Sequence, residues 1–155
     1  MGRSGFNVAE QCHVVSMLSP VDITGATSSE VISMENWGHA TLICMKGVGS
    51  ACTIQLEECT AFAGTGAATR IFKYAYERTA AGDTLTALAT ATTAGIATTT
   101  SSGELLVIEV DADELSDGYP YLRIKCSATG ANLGAWLAVL SGGRFQKDIT
   151  DTVIV

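Results

Sequence analysis

Two strongly apolar segments joined by an acidic link constrain the fold of this chain more than any other feature. They lie in residues 104–145, which read ELLVIEVDADELSDGYPYLRIKCSATGANLGAWLAVLSGGRF. In residues 105–110 and 135–140, apolar side chains occupy both odd and even positions, so each strand would present apolar groups on both faces of a sheet. We therefore expect a second sheet to cover one face and a loop or another subunit to cover the other.

The rest of the chain is also a series of strand-like runs separated by turn residues. Strands are expected at 13–18, 30–34, 39–45, 52–57, 71–78 and 121–126. The threonine- and alanine-rich stretch 84–100 suits one or two exposed strands, with a flexible loop as the alternative. Turns or loops are expected at 19–20, 22–27, 47–50 and 64–66, and a turn or single helical turn at 111–118. This spacing predicts an all-β fold, an antiparallel β-sandwich of jelly-roll-like form.

The length of 155 residues fits one domain with a single core. The expected organisation is a flexible N-terminal arm at 1–10, one β-sandwich domain at 11–146 and a C-terminal tail at 147–155 that pairs with a strand of a neighbour. The longest uncharged stretch is too polar to span a bilayer, and no apolar signal region follows the N-terminus. We expect no membrane association.

Composition indicates a protein that folds and buries surface against partners. Hydrophobic residues make up 47% of the chain and charged residues only 16%. The net charge is −7, and the nine Lys and Arg residues form no cluster. Binding to nucleic acid requires clustered basic residues that displace counterions from phosphates, so direct nucleic-acid binding is not expected.

The sequence contains no motif of the common catalytic or cofactor-binding types, so neither an enzyme nor a cofactor is expected. One histidine and three cysteines could form a zinc site as the alternative to buried free thiols: His39, Cys44, Cys52 and Cys59. Steps of five and seven residues within this set place partners on opposite strand faces, which disfavours convergence on one ion. The five cysteines are therefore expected to be buried free thiols.

The acidic link, residues 111–118, has two interpretations. Its carboxylates, Asp111, Asp113, Glu114 and Asp117, have a spacing at which a loop can bind calcium. The alternative is a solvated turn that caps a short helix and keeps two apolar strands from aggregating. The second interpretation is the expectation, and no metal site is predicted.

Several aromatic and apolar residues are candidates for an interface. Trp37, Tyr119 and Tyr121 would form a carbohydrate-binding platform if exposed together, although packing or subunit contact is the expected role. The full set of candidate interface residues is Trp37, Tyr119, Tyr121, Trp136, Val153, Ile154 and Val155.

Six segments carry a resemblance to a known group of proteins. They are DITG (22–25), ENWGHATL (35–42), CTIQLE (52–57), AGTGA (63–67), IEVDADEL (108–115) and VLSGGRF (139–145). In this order, over residues 20–146, they resemble small structural proteins of tailed bacteriophages and prophages. The chain is similar in particular to head proteins that decorate or cement the capsid lattice.

The resemblance implies a jelly-roll-like homotrimer assembled in the host cytoplasm and bound to the outside of the capsid, with the major capsid protein as partner. It implies no catalytic residues. Two alternatives stay open: a carbohydrate-binding β-sandwich module, and a component of the phage tail or baseplate.

Overall fold

The computed structural model describes residues 5–79 and 81–143, and within them the chain is an antiparallel β-sandwich. The first strands are β1 (His13–Asp22), β2 (Gly25–Ser28), β3 (Ile32–Ser33), β4 (Trp37–Gly49), β5 (Cys52–Cys59) and β6 (Ala68–Arg70). The remaining strands are β7 (Phe72–Glu77), β8 (Ala89–Ala91), β9 (Ile96–Ala97), β10 (Glu104–Asp111), β11 (Tyr121–Ala128) and β12 (Asn132–Gly143). The predicted fold class is confirmed.

The strands form two sheets with jelly-roll topology. Sheet A has the order β1-β12-β4-β10-β7-β8, and sheet B has the order β2-β11-β5-β6, with β3 paired to β11 and β9 paired to β5. The chain crosses between sheets from β1 to β2, from β3 to β4, from β4 to β5, from β6 to β7, and at each step from β8 to β12. The set β1-β12-β4-β10 in one sheet and β2-β11-β5-β9 in the other is the eight-strand arrangement of a jelly roll, to which β3, β6, β7 and β8 are added.

Both sheets contribute fully buried apolar side chains to one core. The largest come from alternate positions of the central strands and from β1, β3 and the loops beside them: Leu42, Ile108 and Leu140 of sheet A, Leu56, Leu122 and Ile124 of sheet B, and Met17, Ile23, Ile32 and Met34. The predicted inward positions Cys52, Ile54 and Leu56 are buried. The predicted outward residue Glu57 is also buried, because the Arg123 side chain covers it and donates a hydrogen bond of 2.6 Å from Nε.

The first strand is longer than the sequence predicts. It was expected to end at Ser19-Pro20 but continues to Asp22, with register shifts against β12 between Ser16 and Leu18 and between Leu18 and Val21. Because β1 is an edge strand, the missing N–H of Pro20 interrupts the ladder only locally. The expected loop at 22–27 was also wrong in part, since Gly25–Ser28 pairs with β11 as β2.

The threonine- and alanine-rich stretch contains two short strands, as predicted. Strands β8 and β9 flank a turn in which the Gly95 N–H donates to the Thr92 carbonyl at 3.0 Å. Gly95 has φ +83°, and a Cβ added there would collide with the carbonyl oxygen of Ile54. Only glycine satisfies both constraints without strain.

The acidic link forms the predicted single helical turn, a 3-10 helix at Ala112–Glu114. The residues that follow this helix are anchored by buried Glu58. Its carboxylate accepts hydrogen bonds from the Ser116 N–H at 3.1 Å and from Arg70 Nη1 at 3.0 Å. Lys73 binds the Glu114 carboxylate at 2.7 Å. The link is therefore held against the body of the sandwich by buried and half-exposed ion pairs.

A short α-helix, Val8–Gln11, precedes β1 and buries none of its side chains. It falls largely within the predicted N-terminal arm. The candidate interface residues Val153, Ile154 and Val155, with the rest of the predicted C-terminal tail, lie outside the described residues.

Candidate interaction surface

The outer face of sheet A carries apolar side chains in three adjacent rows. Antiparallel register places Leu137 beside Ile43 and Ile43 beside Val107 in the central row. Val14 pairs with Val139 in one flanking row, and Met45 pairs with Leu105 in the other. We call this surface the apolar face; it consists of Val14, Ile43, Met45, Leu105, Val107, Leu137 and Val139.

Exposure distinguishes the apolar face from the core side of the same strands. Val14 and Met45 are 53% and 54% exposed, and the other five residues are half-buried. On the inner face, Leu42 and Ile108 are 0% exposed. Neighbours within one sheet account for partial burial, whereas full burial needs a facing layer. The described residues supply that layer on the inner side alone.

The apolar face is as large as the largest apolar patch on a typical monomer. Four strands about 4.8 Å apart and three rows about 6.8 Å apart span roughly 20 Å by 20 Å, or about 400 Å², and the outermost row also contains Thr41 and Glu109. A patch of this size is often functional. A two-sided apolar pattern in β10 and β12 is the sequence feature that indicated such a surface.

A polar border ends the apolar face on one side. It consists of His39 and Thr41 from β4 with Glu109 and Asp111 from β10. The His39 ring binds Asp111 Oδ1 through Nδ1 at 2.6 Å and Glu109 Oε2 through Nε2 at 2.7 Å. The Thr41 hydroxyl donates to the same Glu109 oxygen at 2.8 Å. Two carboxylates from one strand thus hold a single imidazole between them.

This geometry favours the charged form of the histidine. Burial disfavours a charge on His39, but hydrogen bonds to Asp111 and Glu109, with the attraction of both carboxylates, outweigh burial and raise the pKa of His39 above 6.5. Both ring nitrogens then act as donors. The polar border therefore carries one positive and two negative charges.

The outer face of sheet B differs in chemistry. Glu57 lies between Arg123 at 2.6 Å and Lys125 at 3.4 Å. The Phe62 ring packs on Tyr121 with a centroid distance of 5.1 Å, so the loop after β5 covers one end of this face. Ion pairs and a loop thus occupy sheet B where sheet A presents apolar side chains.

The structure places two of the candidate interface residues in the core, so their proposed interface role was wrong for the folded chain. Trp37 is 4% exposed and Trp136 is 3% exposed. Trp136 pairs with Cys44 on the inner face of sheet A, and the Trp37 ring stacks on His13 at 5.8 Å. Large aromatic rings gain more from burial in the core than from exposure.

Tyr119 and Tyr121 are half-buried at the end of the sandwich. Tyr121 contacts Phe62, and Tyr119 borders a shallow groove with Met34 and Pro120. Because Trp37 is buried, it does not join the two tyrosines in a common platform. The arrangement considered for carbohydrate binding is not assembled.

The possible metal sites are likewise not assembled. Asp111 binds His39 and Glu114 binds Lys73, so these carboxylates point to separate cationic partners. His39 lies on the outer face of sheet A and Cys44 in the core. Within the described part of the chain, no group of three or more His, Cys, Asp or Glu side chains is placed to hold a metal ion.

All five cysteines are free and buried, as predicted. A hydrogen bond from the Cys126 thiol opposes burial and, with a hydrogen bond from Thr98, lowers the pKa of Cys52 below its usual range. The Thr98 hydroxyl lies 3.5 Å from the Cys52 sulfur. Cys44, in contrast, has its pKa raised by burial. These thiols belong to the core and do not contribute to the apolar face.

The polar border was missed by sequence reasoning because its members are far apart in the chain. His39 is separated from Glu109 and Asp111 by 70 and 72 residues. The signal available in the sequence was the alternation of inward and outward positions along each strand. It places Glu109 and Asp111 on the outer side of β10 and His39 on the outer side of β4. Only the register between these strands brings the three side chains together.

Comparison of the sequence with protein families and with curated proteins gives no match. Within residues 5–79 and 81–143, no helix has the length and apolar character needed to span a bilayer. The fold and the surface thus define this protein as a β-sandwich with one apolar and one charged outer face.

Proposed function

We propose that this protein is a virion structural protein that binds the outer surface of a tailed-phage capsid and stabilises the capsid lattice. The observation that carries the proposal is the apolar face, an uncovered surface of about 400 Å² on an acidic chain. In this proposal the protein acts through contacts and not through catalysis. Its partners are the major capsid protein and sister copies in a homotrimer.

Several further features support this proposal. The segments that resemble phage head proteins span most of the sandwich, and a net charge of −7 suits a surface that faces away from packed DNA. A cement protein works by binding the assembled lattice more tightly than the free capsid subunits, which shifts the equilibrium toward the closed shell. Three linked copies would add their weak individual contacts through high effective concentration.

The alternatives have less support. A carbohydrate-binding module needs exposed aromatic rings in one plane, and the burial of Trp37 removes the largest ring of the proposed set. A tail or baseplate component would use the same contact chemistry as a capsid protein. It differs in the site of attachment, which imaging of the particle identifies directly.

The test is co-sedimentation of the purified protein with phage head shells that lack it. We expect wild-type protein to pellet with the shells and to raise their resistance to heat. A Val107→Lys variant places a charge at the centre of the apolar face and should bind at least tenfold more weakly, a loss of about 1.4 kcal/mol. Ser127→Lys introduces the same charge on the outer face of sheet B and is the matched control.

Wild-type protein that stays in the supernatant and leaves shell stability unchanged would contradict the proposal. Equal loss of binding by both lysine variants would show that the apolar face is not the contact surface. Light scattering at micromolar concentration tests the trimer separately, since a monomer in the absence of shells would restrict trimer formation to the lattice.

A further inference from the structure

The polar border places negative charge at one edge of the apolar face, and this charge indicates which kind of partner the face binds. Its carboxylates are accessible: the Asp111 side chain is 51% exposed and the Glu109 side chain is 32% exposed. His39 neutralises one of the two charges when protonated. The border then has a net charge of −1, and it has −2 when the histidine is neutral.

The charged groups around His39 compensate this acidity only in part. Strand β7 contributes Lys73, the register partner of Glu109, which is attracted by Asp111 but forms its ion pair with Glu114 at 2.7 Å. The 3-10 turn contributes Asp113 and Glu114, which are both acidic. Strand β12 places Ser141, which has no charge, beside His39. Within the described residues, the polar border therefore keeps a net negative charge beside the apolar face.

We propose that the occupant of the apolar face is a protein surface that combines an apolar strip with at least one Lys or Arg, and that this cation binds Asp111 and Glu109. The inference rests on the proposed function, because it takes the capsid exterior as the partner and specifies its chemistry. Apolar burial supplies contact area, and the cation at the border fixes orientation.

A second copy of the chain fits this surface less well. Any partner that covers this face, a second copy included, would bury about 800 Å² in total, so the choice between partners depends on charge. Each copy carries a net charge of −7 and no Lys or Arg within the polar border. Charge complementarity thus favours a basic partner over self-association through this face, and the homotrimer would use other surfaces.

A pH dependence follows from the histidine. As pH rises through the pKa of His39, the net charge of the polar border changes from −1 to −2, and the border attracts a cation more strongly. Binding to a basic partner should then strengthen with pH and weaken with added salt. An acidic partner would show the opposite pH dependence.

The test measures binding to phage head shells lacking the protein, at low and high salt and on both sides of neutral pH. Asp111→Asn should weaken binding about fivefold at low salt and reduce the salt dependence, as expected for one partly exposed ion pair. Asp113→Asn removes a nearby charge outside the border and should bind as wild type. Asp111→Glu keeps the charge and should restore binding. Thermal melts of all variants check that the fold is retained.

Each outcome decides the matter. Shell binding that is equal in wild type and Asp111→Asn, or stronger in Asp111→Asn, overturns the basic partner while the proposed function stands. Lack of shell binding by wild-type protein overturns both. Concentration-dependent dimers that Val107→Lys abolishes would assign the face to a second copy instead.

Discussion

Replacement of two neighbouring residues on β10 tests the architecture most directly. Ile108 points into the core and is 0% exposed, whereas Val107 points outward into the apolar face and is half-buried. Both are β-branched residues in the centre of the same strand, so truncation of either to alanine loses similar β-propensity. The difference between the two variants therefore reports which side of sheet A has a facing layer.

The magnitudes follow from this geometry. Ile108→Ala leaves a cavity between the sheets and should reduce the free energy of unfolding by about 3–4 kcal/mol. Val107→Ala removes two methyl groups worth about 1.6 kcal/mol when fully buried, and at half-burial without a facing layer the cost should be about 1 kcal/mol or less. For a domain of this length, the first change lowers the melting temperature by roughly 6–16 °C and the second by about 4 °C at most.

The assay is urea denaturation followed by tryptophan fluorescence. Trp37 and Trp136 are both buried, so their emission reports loss of the core. The two variants should unfold with the same m-value as wild type, which makes the midpoints comparable. If Val107→Ala cost more than about 1.6 kcal/mol, the value for two fully buried methyl groups, a layer of the same chain would cover the outer face, and the inferred interaction surface would be refuted.

Three further perturbations test other parts of the structure. Glu58→Gln leaves the guanidinium of Arg70, whose side chain is only 12% exposed, without a counter-charge and should cost about 3 kcal/mol in urea denaturation. Glu35→Gln at an exposed site should change stability by less than about 0.5 kcal/mol. Gly95→Ala should cost roughly 2–3 kcal/mol in the same assay because strain at positive φ adds to a collision with Ile54, whereas Gly118→Ala, at φ +81° in open space, should cost only about 1 kcal/mol; equal costs would show that the collision is relieved. Folding raises the pKa of His39, so the stability that the charged ring contributes is complete below the unfolded pKa of about 6.5 and is lost as pH rises through the folded pKa. Melts of wild type and His39→Gln should therefore differ most at acidic pH. A difference that does not change with pH would argue against the charged form.

The sequence predicted the inner surface of the sandwich well. Alternation in residues 52–57 and 121–126 identified buried positions correctly, because a half-buried strand must turn every second side chain to the core. The exceptions have a physical cause. Glu57 and Glu58 are buried because cationic side chains from other strands reach them, and no local pattern records those partners.

Aromatic residues were the least predictable from sequence. Trp37 and Trp136 were candidates for an interface, yet both fill the core. A large ring is equally compatible with a core and with an interface, since both bury apolar area. Tyr119 and Tyr121 lie at the end of the sandwich, where half-burial is consistent with either role.

The sequence by itself determined that this chain is an all-β protein with two-sided apolar strands, because local alternation and turn residues specify strands and the faces that need cover. The tertiary structure alone decided which of those faces is covered. Strand order places β10 and β12 on either side of β4, which joins their outward side chains into one apolar face. The same register brings His39 to Glu109 and Asp111 across some seventy residues of chain, and such long-range pairing has no local signature.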